Sequence, residues 1–286
     1  MVVGKWVGIG DALPAKAFHV ALYLVSLAQT ANTPSPIVNA YYSLKWFHDL
    51  YDLDSPTKSN LVRNVLEASK RRLAKPVVKK KPMTVDLLLS MYKSKFSVGN
   101  LKNQRIRCAC LLAFAGFLRS DELLRIRVCD VMFASAYMSV FIESSKTDKY
   151  RDGAWLMIAE TGTCLCPVKN LKLFFDWASL KENSDQYIFC SLSPTKDGYK
   201  ARSDNKSMSY TTLRELFIEA FKPLVEDMSQ FCLHSLRAGG ATAAAKNGIE
   251  DRLFKRHGRW VSENAKDGYV EDSFTERLKV SESLGL

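Results

Sequence analysis

Apolar residues recur at helical spacing along most of this chain and alternate like a strand only over a short central stretch. Pro14 can open a helix in which Phe18, Leu22 and Val25 share a stripe. After a break at 32–36, Ile37 to Tyr51 carries Tyr41, Leu44, Phe47 and Leu50. Lys58 to Arg72 carries Leu61, Val65 and Leu66. Core packing is the expected use of most aromatics here, Trp6, Tyr41, Tyr42, Trp46 and Phe47 included. Beyond Thr84, a good N-cap, come a helix at VDLLLSMYKSKF and a longer apolar one from about Arg105 to Gly116. Ala136–Glu143 and AWLMIA alternate around a polar turn with Asp152-Gly153, as two strands of a small sheet do. Helices are then expected from Lys169 to about Leu180 and from Tyr210 to Pro223, with a polar, mobile surface loop at 191–209 between them. The predicted class is mainly α with a small antiparallel β-sheet (α+β).

Composition shifts at Lys70–Pro82, where Lys70, Arg71, Arg72, Lys75, Lys79, Lys80 and Lys81 cluster with two prolines. This divides the chain into a helical domain (1–75), a basic linker (76–83) and a larger domain (84–286). Arg71, Arg72, Lys79, Lys80 and Lys81 are candidate contacts to a phosphate backbone. A solvated linker or a nuclear-import signal reads equally well and is compatible with that role. The chain starts close upon its first helix, which leaves room for a longer parent with an extra N-terminal segment.

With 41 Lys plus Arg against 30 Asp plus Glu, the net charge of +11 favours a polyanionic partner, nucleic acid first. Seven cysteines without a framework read as reduced, buried thiols. The C-x-C pairs 108/110 and 164/166 lack zinc-site spacing, so no metal is expected, and no cofactor. The apolar stretch Ala17–Ala28 is shorter than the roughly 20 residues of a membrane span and His19 interrupts it, so no membrane partner is expected.

The chemistry concentrates in LHSLRAGGATAAAKNGIEDRLFKRHGRWVSENAKDGY, residues 233–269. His234 and Arg237, three apart, share a helix face. An arginine fork fits two phosphate oxygens, and a histidine adds a donor that exchanges protons near neutrality. Trp260 and Tyr269 follow, nine residues apart; Trp260 can pack and still donate its indole N–H. His257 reads as a surface or capping residue. Upstream, Arg119 follows a buried helix and either pairs with Glu122 or serves a ligand.

H-x-x-R, then G-R-W, then Tyr269 resembles the C-terminal signature of the tyrosine recombinase (phage integrase) family. G-F-L-R-S-D-E-L-L resembles its first arginine motif, and S-K-T-D-K-Y-R its β-hairpin lysine. A histidine often fills the position of Trp260. The tryptophan form, with HGRW and KDGY, is similar to versions from eukaryotic mobile elements, which implies a nucleus; otherwise the protein belongs in the cytoplasm with DNA. The resemblance implies a helical core-binding domain and a catalytic domain closing around double-stranded DNA. It implies Arg119, Lys146, His234, Arg237, Trp260 and Tyr269 as catalytic residues, Glu122 as support for Arg119, and Lys149 as the alternative lysine. It implies a homo-oligomer on DNA, a tetramer in synapsis, with a short C-terminal docking helix.

A phenol with a pKa of about 10 is a poor nucleophile at neutral pH and a phosphodiester repels anions. The arginines would neutralise the phosphate, Tyr269 would attack, and Lys146 would protonate the leaving 5'-oxygen, giving a 3'-phosphotyrosine without ATP or metal. Three rivals stand beside this: an inactive DNA-binding relic of a mobile element, a type IB topoisomerase-like relaxing enzyme, and a basic helical interaction module.

Overall fold

A computed structural model describes residues 13–76, 78–96, 98–145, 148, 150, 152–196, 198–272 and 274–284. The chain divides into two compact units, Met1–Val78 and Lys79–Leu286.

In the first unit, α1 (Ala17–Thr30), α2 (Ser35–Leu50) and α3 (Asn60–Leu73) pack around Val20, Leu24, Ile37, Tyr41, Val62 and Leu66. The helices arise where expected, but α1 turns its other side inward. Val20, Ala21, Leu24 and Ala28 are buried, whereas Phe18, Leu22 and Val25 face solvent. Both sides of α1 are apolar, so tertiary neighbours rather than periodicity choose the buried one. Tyr42 and Trp46 are exposed too and Phe47 is half-buried, so among the described members of this group Tyr41 is the buried aromatic; Trp6 lies outside the described residues. α3 runs through Lys70, Arg71 and Arg72, placing the start of the basic run on a helix rather than in a linker; the Arg72 guanidinium donates to the Ala28 carbonyl.

The second unit is built on α5 (Leu101–Ala115), which is buried nearly all round. It starts four residues earlier than expected because Asn100 caps it, accepting the N–H of Asn103 at 3.0 Å. Around it stand α4 (Val85–Ser94), capped by Thr84 as anticipated, α6 (Ser120–Arg125), α7 (Pro167–Ala178), α8 (Tyr210–Phe221) and α9 (His234–Lys246). Leu88, Met91, Ala109, Ala113, Leu123, Phe174, Phe217, Phe221 and Leu236 form the core. β1 (Val131–Phe133), β2 (Tyr137–Ile142) and β3 (Ala154–Ala159) make an antiparallel sheet in sequence order, with Val140 opposite Leu156 on its buried face.

The stretch 191–209, expected as a mobile loop, instead holds an antiparallel ribbon of β4 (Leu192–Thr195) and β5 (Gly198–Ala201). Its residues are exposed or half-buried, so it lacks the apolar alternation that marks a strand. Three helices follow α9: α10 (Asp251–Gly258), α11 (Glu263–Asp267) and α12 (Phe274–Glu282). Among the described residues no helix is long and apolar enough to cross a membrane.

The small residues of α9 let backbone approach it from two sides. A methyl group at Gly239 would lie 2.0 Å from the Met83 carbonyl, and one at Gly240 2.1 Å from that of Phe114. Met83 donates its N–H to Ser235 O at 2.7 Å, so the end of the basic stretch is packed on α9. Gly240→Ala should therefore cost about 1–3 kcal/mol by overpacking, seen as a lower denaturant midpoint for the second unit.

Candidate active site

The turn from α5 into α6 presents the first arginine. Gly116 and Phe117, the latter at φ 46°, reverse the chain, and Arg119 then caps α6. Glu122 at the third helical position accepts the Arg119 backbone N–H at 2.9 Å and its Nη1 at 2.8 Å. The Arg119–Glu122 pair that the sequence left open thus exists, but it does not stand alone. Arg259 Nη2 lies 2.9 Å from Glu122 Oε2, and Arg237 Nη1 3.8 Å from the same oxygen. Three guanidiniums surround one carboxylate, leaving the cluster cationic. Burial raises the Glu122 pKa, yet Arg259, the Arg119 N–H, Arg237 and the Arg119 guanidinium together hold it below the usual carboxylate range.

Arg237 projects from the first turn of α9 and is fully buried. Its Nη1 donates to Phe117 O and its Nη2 to Gly258 O at 2.8 Å, while Nε has no hydrogen-bond partner among the described residues. The Trp260 and Tyr269 rings each lie 4.8 Å from its central carbon. Burial first, and then repulsion from Arg119, push its pKa down to about 10, against the pull of Glu122. It remains charged at neutral pH.

Of the two roles open to it, Trp260 shows the packing one. It packs on Phe254, ring centroids 5.1 Å apart, and on Phe117, while its buried Nε1 has no partner among the described residues. The fit is close: a methyl group on Gly258 would meet the indole at 1.9 Å. Half-buried Tyr269 has its ring 5.6 Å from Trp260 and 6.0 Å from the exposed ring of His234. Thr242 on α9 donates to Tyr269 O at 3.4 Å and accepts the Glu271 N–H at 3.2 Å. Beside the tyrosine, Lys266 on α11 is ion-paired with Asp251 and with Glu263, the latter at 2.8 Å.

The structure thus brings together Arg119, Glu122, His234, Arg237, Trp260 and Tyr269. Lys146 and the alternative Lys149 lie outside the described residues. Of the basic candidates, Arg71 is on α3 with Arg72; Lys79 Nζ donates to Gly268 O at 3.5 Å, Lys80 Nζ donates to Ser229 O, and Lys81 donates its backbone N–H to Gln230 O at 2.8 Å. Arg259 and His257 were not foreseen as members of this region. Arg259 sits at φ 56°, a left-handed C-cap that turns its side chain inward. His257 is half-buried rather than at the surface: Nε2–H donates to Ala115 O at 2.8 Å, and the ring meets Phe117 edge-on at 4.7 Å. Spacing from Tyr269 singles out Trp260 and passes over both neighbours.

Burial lowers the His257 pKa below the ordinary histidine value. The unfolded chain therefore takes up the proton first, near pH 6.5. Stability is full above that pH and declines as pH falls through it toward the lower folded value. Denaturant midpoints at pH 7.5 and 5.5 should show this decline, and His257→Gln should flatten it.

Two arginines thus converge with a tryptophan, a histidine and a tyrosine in one cationic cluster. The model of the phage integrase family matches residues 83–276, more than half of the chain, and the chain belongs to that family. It is 26% identical over 267 residues to the integrase/recombinase XerD homolog of Selenomonas ruminantium, spanning 92% of this chain and 75% of that protein. It is also 26% identical over 275 residues to recombinase Cre of Escherichia phage P1, spanning 91% and 77%. Among solved structures, XerH site-specific recombinase bound to a palindromic difH substrate, a post-cleavage complex, matches with a TM-score of 0.61 at 13% identity, over 99% of this chain and 75% of that one. A lambda integrase tetramer bound to a Holliday junction matches with a TM-score of 0.54 at 17% identity, over 95% and 70%. The α+β fold read from the sequence is the fold of these neighbours.

Proposed function

We propose that the protein is a site-specific DNA recombinase working through a covalent 3'-phosphotyrosine. The observation that carries this is the stacking of Tyr269 on Arg237, within the cluster that joins Arg237 to Arg119 through Glu122. Arg119 and Arg237 clamp the non-bridging oxygens, and His234 and the Trp260 N–H add donors, so charge growing in the transition state meets fixed positive partners. The Tyr269 oxygen attacks phosphorus, the bond to the 5'-oxygen breaks, and that oxygen takes a proton from Lys146, a role assigned by resemblance. Because Arg237 is fully buried between two rings, the phosphate reaches it only once the Tyr269 segment lifts. The phosphotyrosine conserves the bond energy, so the reverse attack by a 5'-hydroxyl reseals DNA.

The helical domain (1–75), the basic stretch (76–83) and the catalytic domain (84–286) would close around a duplex, with Arg71, Arg72, Lys79, Lys80 and Lys81 along its backbone. Lambda integrase has been captured as a tetramer on a Holliday junction, which supports a tetrameric synapse here. The narrower reading, a recombinase of a eukaryotic mobile element acting in a nucleus, rests on Trp260 and the basic stretch. The named relatives, from Selenomonas ruminantium and a phage, lend it no support.

The test uses nicked duplexes tiled across the DNA flanking the encoding gene, incubated with the protein in EDTA and resolved on a denaturing gel. The expected result is a covalent adduct on a restricted set of duplexes. Salt-sensitive binding without adduct would favour the inactive relic, and relaxation of supercoils by a monomer without sequence preference the topoisomerase.

A further inference from the structure

We infer that Arg259, the residue of the G-R-W motif to which the resemblance assigns no role, is a positioning residue for strand cleavage: it fixes Glu122 and the 116–117 turn so that Arg119 and Arg237 meet the phosphate together. The inference rests on the recombinase reading above.

Arg259 ends α10 in a left-handed conformation, φ 56°, where glycine is the favoured residue. A chain that needed only a helix cap here would be better served by glycine. The side chain instead is 8% exposed and almost wholly spent on the site. Nη1 donates to His257 O at 2.8 Å and Gly116 O at 3.3 Å; Nη2 donates to Phe117 O at 3.1 Å and Glu122 Oε2 at 2.9 Å. Gly116 and Phe117 form the turn that delivers Arg119. The Phe117 carbonyl and Glu122 Oε2 are also the groups that Arg237 Nη1 approaches.

Arg237 and Arg259 therefore share the same two acceptors, and Arg259 holds the closer position on the carboxylate, 2.9 Å against 3.8 Å. With Arg259 absent, Glu122 is released to close on Arg237, drawing that guanidinium toward the carboxylate and off the phosphate. The turn presenting Arg119 loses two anchors in the same step. A displacement of about 1 Å at a reacting centre can cost about 100-fold in rate.

The discriminating variants are Arg259→Gly, which suits the backbone and removes the guanidinium, and Arg259→Lys, which restores charge but not the fork. Each full-length protein is assayed for single-turnover cleavage on saturating duplex, for duplex affinity and melting temperature, and for the rise in melting temperature given by inorganic vanadate, a phosphate mimic. We expect Arg259→Gly to keep its affinity, to cleave about 100-fold more slowly and to lose the vanadate rise, with Arg259→Lys recovering part of the cleavage and of the vanadate rise at a similarly lowered melting temperature. Wild-type cleavage by Arg259→Gly would overturn the inference, as would a lowered melting temperature with no recovery of cleavage by lysine. Should wild type form no adduct, the recombinase reading fails and vanadate alone decides. A rise lost in Arg259→Gly upholds the positioning role; an equal rise in both proteins, or none in wild type, overturns it.

Discussion

Cleavage by Arg237→Lys is expected to fall about 1,000-fold, the upper range for removing one oriented donor from a developing oxyanion, while duplex binding changes little. Charge is kept, but the function proposed for Arg237 is geometric. One proton of each terminal nitrogen is held, by Phe117 O and Gly258 O, which leaves Nε–H and the remaining N–H protons to face a phosphate once the Tyr269 ring lifts away. A lysine ammonium cannot hold both carbonyls and present a planar pair of donors. Single-turnover rates on a saturating nicked duplex, beside gel-shift affinities, separate the two quantities. Unchanged cleavage would remove Arg237 from the chemistry.

Glu122→Ala is expected to be the most damaging substitution for stability. Glu122 is 4% exposed and is the carboxylate to which Arg119, Arg237 and Arg259 are all paired. Removing it leaves like charges facing one another in a buried site, a change that costs about 3–5 kcal/mol when one partner of a buried pair is lost. Wild type approaches the same state in acid. Because the folded carboxyl titrates below its unfolded value, its contribution is complete above about pH 4.5 and is lost as pH falls through the depressed folded value. Denaturant unfolding of wild type and Glu122→Ala from pH 7 to pH 3 should show the gap between them closing at the acid end.

The parts of this site that lie close together in sequence were legible there. Arg119 and Glu122 are three apart and define a helix start by themselves. His234 and Arg237 share the first turn of α9, and Trp260 and Tyr269 keep a spacing that names the family. Arg259 was not legible. It reads as one more basic residue in a basic tract, and only the left-handed end of α10 turns it toward Glu122, 137 positions away in the chain. His257 was missed for a similar reason: its partner, the Ala115 carbonyl, is 142 residues distant. The inward side of α1 was misread because Phe18, Leu22 and Val25 are as apolar as the stripe that α3 covers. The β4–β5 ribbon carries Pro194 and exposed polar residues, so nothing in its pattern of burial announces a strand.

The most direct test of the central proposal is to identify the residue that becomes attached to DNA. The adduct formed in EDTA is digested with trypsin and nuclease, and the modified peptide is sequenced by mass spectrometry. The expected product is Asp267–Arg277 carrying a nucleotide on Tyr269, with no adduct at all from Tyr269→Phe. A nucleotide on any other residue, or an adduct that persists in Tyr269→Phe, would contradict the assignment of Tyr269 as the nucleophile and the mechanism built on it.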